Sequence, residues 1–275
     1  MLNELRFLYK KLTYKHLDYE NEKNNDQIPL YWWKEKENLG DALNRDLVEK
    51  ISGKNVVWSD HRSSQEYNMA VGSVLQLANS NSKIWGSGLI SEKARPLFSP
   101  REIFAVRGPL TREVLKKYSI NCPEIYGDPA LLLPKFYTAS YSKKYKIGII
   151  PHFVDKNSKN LISEIPDWVN VIDIETSDVQ LFINKICECE YILSSSLHGI
   201  IIADAFGIPS ARVSFTNKIT GGDFKFHDYS LTVGRKEYKA VNLSNVSLGA
   251  ELLKLNYQLG VVNTEHLFES CPFRR

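Results

Sequence analysis

The chain has 275 residues, of which 43% are hydrophobic and 24% charged, with a formal net charge of +3. That balance builds packed cores and excludes a disordered chain. The 35 basic side chains, set against 32 acidic ones and scattered along the sequence, form no stripe that could track a nucleic acid backbone.

The amino-terminal segment is polar, without the apolar centre of a signal peptide, and no apolar run reaches the roughly 20 residues that span a bilayer. A cytoplasmic protein without a transmembrane segment is expected, and its mild positive charge suits anionic substrates or the headgroups at the inner face of a membrane. The length exceeds the usual single domain of about 100–200 residues, so two domains are expected. Cys122, Cys187, Cys189 and Cys271 form no CxxC pair and have no zinc-finger spacing to a histidine, so reduced thiols and no metal site are expected.

In chain order, short apolar or β-branched runs predict strands at Leu30–Trp33, Val56–Trp58, Lys83–Trp85, Ile103–Val106, Tyr145–Pro151, Val169–Ile174 and Tyr191–Leu193. Helical patterns lie between several of them. One starts near Asp41, with Leu43, Leu47, Val48 and Ile51 on one face and Gly53 at the position of a C-terminal cap. Another runs from Pro109 to about Lys117, and a third covers Asp178–Glu188. The alternation predicts an α/β fold of βαβ units. The segment KFYTASYSKKYK, Lys135–Lys146, interrupts the apolar rhythm, which sets the expected division at 1–140 and 141–275, with a cleft between two halves as the expected ligand site.

The segment Tyr191–Pro209, YILSSSLHGIIIADAFGIP, reads as a strand, a serine-rich turn and a helix apolar nearly all round, opening at His198–Gly199 and ending at Gly207. A buried helix entered from the carboxyl end of a strand points unpaired N–H groups and its positive dipole end into a crevice, where phosphate or carboxylate binds well. Ser194, Ser195, Ser196 and Gly199 are therefore candidate anion-binding positions. The plainer reading is that the serines only cap the helix.

Together, Asn38-Leu39-Gly40-Asp41, GSG at Gly86–Gly88, VRGPLT at Val106–Thr111, YGDPALLLP at Tyr126–Pro134 and Leu197-His198-Gly199 resemble, in the same order, the landmarks of the polysaccharide pyruvyltransferase family. The resemblance spans about residues 30–234. It implies two Rossmann-like domains in the manner of type-B glycosyltransferases. It also implies a phosphoenolpyruvate donor, serving as co-substrate with no other cofactor, and a sugar acceptor, free or lipid-linked, in surface polysaccharide or capsule synthesis.

On that resemblance Asp41 is the expected base for an attacking sugar hydroxyl, although an aspartate at a helix start is also an ordinary cap. His198 is the expected acid, since an imidazole of ordinary pKa about 6.5 can deliver a proton to the enolpyruvyl methylene or to the departing phosphate. Arg107, closing a strand in FAVRGPL, is the expected bidentate clamp on the donor, with Arg112 a weaker second. Asn38 and Gly40 would fix the turn or a ligand oxygen, and Asp128 in Gly-Asp-Pro reads as a turn former. His152 could line the pocket.

The chain departs from several relatives by carrying Ser196 where they have an arginine. Arg212, Lys218 or Lys225 would have to supply the missing cation. Phe224–Arg235, FKFHDYSLTVGR, with His227 and Asp228, reads either as acceptor-binding or as a surface hairpin whose rings fill a local core. Two other functions fit the same architecture: a type-B glycosyltransferase using a nucleotide sugar, and a non-catalytic sugar-binding assembly subunit.

Overall fold

The computed structural model describes residues 2–17, 26–34, 38–139, 142–158, 161, 165–216, 222–244 and 248–274. Lys218 lies outside them. The chain divides into two compact units: unit 1 comprises Met1–Trp33, Asn44–Pro129 and Glu265–Arg275, and unit 2 comprises Lys34–Leu43 and Ala130–Thr264. The division differs from a single cut at residue 140 in three ways, the first being that unit 2 already takes the chain from Ala130. Residues 34–43, expected in the N-terminal half, group with unit 2, where the Leu39 N–H donates to the Ile174 carbonyl at 3.0 Å. The C-terminal segment from Glu265 returns to unit 1, where Trp85 Nε1 donates to the Leu267 carbonyl at 2.9 Å.

Unit 1 holds a five-stranded parallel sheet of β1 (Gln27–Tyr31), β2 (Asn55–Trp58), β3 (Tyr67–Met69), β4 (Ser82–Trp85) and β5 (Glu102–Ala105), in the order β2-β1-β3-β4-β5. Its helices are α1 (Leu2–Leu12), most of α2 (Leu39–Ser52), α3 (Pro109–Lys117) and, near the end of the chain, α7 (Glu265–Glu269). In α2 the residues expected on one face, Leu43, Leu47, Val48 and Ile51, are all buried. The apolar spacing of a 3.6-residue repeat thus forms the core-facing stripe of this helix.

Unit 2 repeats the plan. Its strands are β6 (Tyr145–Ile150), β7 (Val169–Val171), β8 (Cys189–Ser194), β9 (Ser210–Ser214) and β10 (Val241–Asn242), parallel in the order β10-β9-β8-β6-β7. Numbered from the first strand of each unit, both sheets read 2-1-3-4-5. Its helices are α4 (Val179–Cys187), α5 (Leu197–Ala205) and α6 (Phe224–Thr232). One core cluster joins Ile147, Ile149, Leu193, Ala211 and Val213 of the strands to Phe215, Leu243, Leu248 and Leu252.

In a sheet of this order the connections leave in opposite directions on either side of the first strand. The crevice at its carboxyl end, between the first and third strands, is where such sheets bind ligands. In unit 2 that point lies between the ends of β6 and β8, at Ile150 and Ser194, which pair in register.

Candidate active site

Three features of the sequence shape the β6–β8 edge. The serine turn after β8 is tied back to β6: Ser194 Oγ donates to the Ile150 carbonyl at 3.0 Å and accepts from the Ser196 N–H at 3.0 Å. Ser195 N–H donates to the same carbonyl at 3.1 Å, and its hydroxyl accepts from the His152 N–H at 2.8 Å. All three serines are buried. The hydroxyls of Ser194 and Ser195 therefore hold the turn together, which is a structural task distinct from the donor contact expected of them. Ser196 is the residue preceding α5, and its side chain makes no cap hydrogen bond.

Gly199, in the first turn of α5, presses on Ser194: a methyl group on it would overlap Ser194 Oγ. Glycine lets the helix start directly on the strand end, so its N-terminal N–H groups open at the sheet edge.

The third feature is the arrival of α2. Asn38 accepts from the Gly40 N–H through its side chain at 3.0 Å, and its carbonyl accepts from Asp41 and Ala42 at 3.0 Å each. Asn38 is thus the N-terminal cap, and α2 begins at Leu39, two residues before Asp41. Asp41 is half-buried in the first turn, three residues past the Asn38 cap. Gly40 lies against His198 so closely that a methyl group on it would overlap the imidazole ring. The first turns of two helices, α2 and α5, therefore meet within unit 2, at Gly40 and half-buried His198. Two positive dipole ends converge there.

His152, one residue past the proline that follows β6, has its pKa pushed down to about 4, by burial first and then by the nearby charge of Lys225. It is neutral at neutral pH. Lys225 is 8% exposed and stands in the first turn of α6. Sequence alone gave no reason to join Lys225 to His152, because 73 residues separate them and only the folded sheet brings the two together.

Other expected residues are placed differently. The Phe224–Arg235 stretch is helix α6 and its exit, so the hairpin reading is corrected; the 3.6-residue period is met by Lys225, Phe226, Asp228 and Tyr229, all buried. Asp228 is fully buried. His227 stacks on Tyr238, with ring centres 3.9 Å apart and planes 12° from parallel. Arg212 lies over the Phe226 ring at 3.7 Å, pairs with Asp223 at 2.7 Å and donates to the Tyr238 carbonyl at 2.6 Å. Arg235 forms a buried pair with Asp204, which also accepts from Tyr229 Oη and the Gly260 N–H, each at 2.8 Å. These satisfied partners make that end of α6 a structural brace.

In unit 1, Arg107 is fully buried. Its guanidinium donates to Ser73 Oγ at 2.6 Å and to the Leu89 carbonyl at 2.8 Å. It lies flat against Gly88, where a methyl group would overlap it. Two of the landmark motifs, GSG and VRG, are therefore packed on one another, and the fork between them is held by Ser73 and Leu89. Arg112 donates to the Cys122 carbonyl at 2.9 Å and pairs with Glu124 at 2.7 Å. Asp128 is fully buried ahead of a 3-10 turn at Pro129–Lys135.

The four cysteines are buried and unbridged, and burial pushes the thiols of Cys187, Cys189 and Cys271 up to about 11, 12 and 11, which leaves them protonated and unreactive. Among the described residues no group of three or more His, Cys, Asp or Glu side chains could hold a metal, and no helix is long and apolar enough to cross a membrane.

A pair of parallel sheets of one strand order defines an α/β protein of two Rossmann-like units, in the second of which two helix N-termini meet beside a histidine at a strand edge. Comparison supplies the family: the polysaccharide pyruvyl transferase model matches residues 13–217, and the chain belongs to that family.

An uncharacterised protein of Acanthamoeba polyphaga mimivirus is 36% identical over 79% of this chain and 79% of its own length. The succinoglycan biosynthesis protein ExoV of Rhizobium meliloti is 34% identical over 75% of this chain and 65% of its own length. A solved structure of a functionally uncharacterised protein from Klebsiella pneumoniae aligns over 87% of this chain and 97% of that one, with 13% identity and a TM-score of 0.46.

Proposed function

We propose that this protein transfers the pyruvyl group of phosphoenolpyruvate to two hydroxyls of a sugar in a surface polysaccharide or its precursor. Two C–O bonds form at C2 of the donor and the C2–O bond to phosphate breaks. One hydroxyl proton goes to the methylene, which becomes the ketal methyl group, and the other leaves with phosphate. Family membership and the likeness to a succinoglycan biosynthesis protein support pyruvyl transfer in polysaccharide synthesis.

The observation that carries the reading is the meeting of α2 and α5 at Gly40 and His198. A doubly anionic donor is stabilised where two positive dipole ends converge. His198, in the first turn of α5, delivers a proton there, and Asp41, one residue beyond Gly40, takes one from the acceptor. Lys225, buried in the first turn of α6 with its charge felt by His152, supplies the cation that Ser196 does not. Arg107 acts by holding the Ser73 and Leu89 loops in place.

The test is to incubate the purified protein with phosphoenolpyruvate and short galactosides, glucosides and mannosides, and to follow the mass of the sugar and the release of phosphate. A pyruvyl mass gain with stoichiometric phosphate is expected. Absence of transfer across the panel, together with thermal stabilisation by a nucleotide sugar and none by phosphoenolpyruvate, would replace this reading with glycosyl transfer.

A further inference from the structure

Helix α1, LNELRFLYKKL, turns its apolar side away from the protein. Leu5, Leu8, Tyr9 and Leu12 recur at three- and four-residue spacing and so form one stripe. They are 59%, 52%, 69% and 85% exposed. The helix is held to unit 1 by its other side. Glu4 pairs with Arg95 at 2.7 Å, the same guanidinium lies over the Phe7 ring at 3.7 Å, and Lys11 Nζ stands 5.4 Å from the centre of the Phe98 ring. The chain beyond it is pinned as well, with the Leu17 N–H donating to the Arg62 carbonyl at 2.8 Å. A helix that served its own core would bury this stripe; here polar and aromatic contacts dock it, and four large apolar residues face solvent.

The charge around the stripe indicates what covers it. Between Leu2 and His16 stand Arg6, Lys10, Lys11 and Lys15 against Glu4 alone, and Glu4 is already paired with Arg95. Exposed Leu and Tyr bordered by cations match an anionic lipid surface, in which the apolar groups enter the acyl boundary while Lys and Arg reach back to the headgroups. At 11 residues the helix is far too short to span a bilayer.

We propose that α1 is an in-plane anchor that seats unit 1 on an anionic lipid bilayer. The inference is independent of the reaction, because vesicle binding needs no substrate.

The test is sedimentation of the full chain with phosphatidylcholine vesicles, with and without phosphatidylglycerol. The wild-type protein should partition at least about tenfold more strongly to the anionic vesicles, and less so as salt is raised. The double variant Leu8→Glu, Leu12→Glu should lose about tenfold or more of that binding, with circular dichroism and thermal unfolding unchanged, because both side chains are exposed. Arg6→Ala with Lys10→Ala should leave weaker binding with a shallower response to salt, since Lys11 and Lys15 remain. Equal partition of the wild type to both vesicles, no partition to either, or binding indifferent to Leu8→Glu, Leu12→Glu would overturn the proposal. So would a concentration-dependent dimer that the double variant turns into a monomer, since the stripe would then be a contact between copies of the chain.

Discussion

The imidazole of His198 occupies the space that a side chain on residue 40 would need, so Gly40 and His198 define one another's position. Asn38 and Leu39 fix that glycine, through the 3.0 Å cap to the Gly40 N–H and the 3.0 Å bond to Ile174. The ring is therefore set by the start of a different helix from its own. Gly40→Ala should push the ring aside and cut pyruvyl transfer by about 10²-fold, the scale of a misplaced catalytic group. Circular dichroism should show the fold retained. Transfer at the wild-type rate would show that the position of the ring does not matter.

His198→Gln keeps a hydrogen-bonding side chain but does not titrate near neutrality. Turnover should fall by about 10²–10⁴-fold while phosphoenolpyruvate still binds, and one limb of the pH–rate profile should vanish. Activity within about threefold of wild type, with the limb intact, would remove the proton-transfer role.

Because Asn38 caps α2, replacing Asp41 tests chemistry with little risk to the helix. Asp41→Asn should abolish turnover and leave unfolding free energy within about 1 kcal/mol of wild type. Full activity in the variant would show that the base is another group.

Arg107→Lys keeps the charge and loses the fork that spans Ser73 and the Leu89 carbonyl. An unmatched buried carbonyl and hydroxyl should cost about 1–3 kcal/mol of stability, read as a lower unfolding midpoint. Unchanged stability combined with a tenfold loss of phosphoenolpyruvate affinity would instead make Arg107 a direct donor contact.

Burial and Lys225 hold His152 at a pKa of about 4 in the folded protein, below the roughly 6.5 of an unfolded histidine. Between those values the unfolded chain binds the extra proton and the folded one does not. Stability from this group is complete above about pH 6.5 and falls as the pH is lowered toward 4. His152→Gln should flatten that part of the profile of melting temperature against pH; an unaltered slope would show that other groups set it.

Helices α3 and α4 were legible to within a residue because their starts are written locally. Pro109 stands in the first turn of α3, and the Asp178 side chain accepts from the Leu181 N–H at 2.9 Å. Strands β3 and β10, three and two residues long, carry too little pattern to be read, although β3 completes the 2-1-3-4-5 order of unit 1. The stripe of α1 was passed over because it serves no core. A strand-end position suggests an emergent side chain for Arg107, yet it is fully buried, because the absence of a side chain at Gly88 leaves room for the guanidinium inside its own unit. The pairing of Gly40 with His198 links motifs 158 positions apart, and no local pattern encodes such a contact.

The return of residues 265–274 to unit 1 sets an order of events during synthesis. Trp85 has its indole N–H bonded to Leu267 and its ring set edge-on against Phe273, with ring centres 5.9 Å apart. The ribosome makes β4 early, but the partners that cover it emerge only after every strand of unit 2 has been translated. Nascent unit 1 must therefore wait with an apolar face around Trp85 open to water and to chaperones. A ribosome stalled before residue 265 would release a chain whose first-made half is still unfinished.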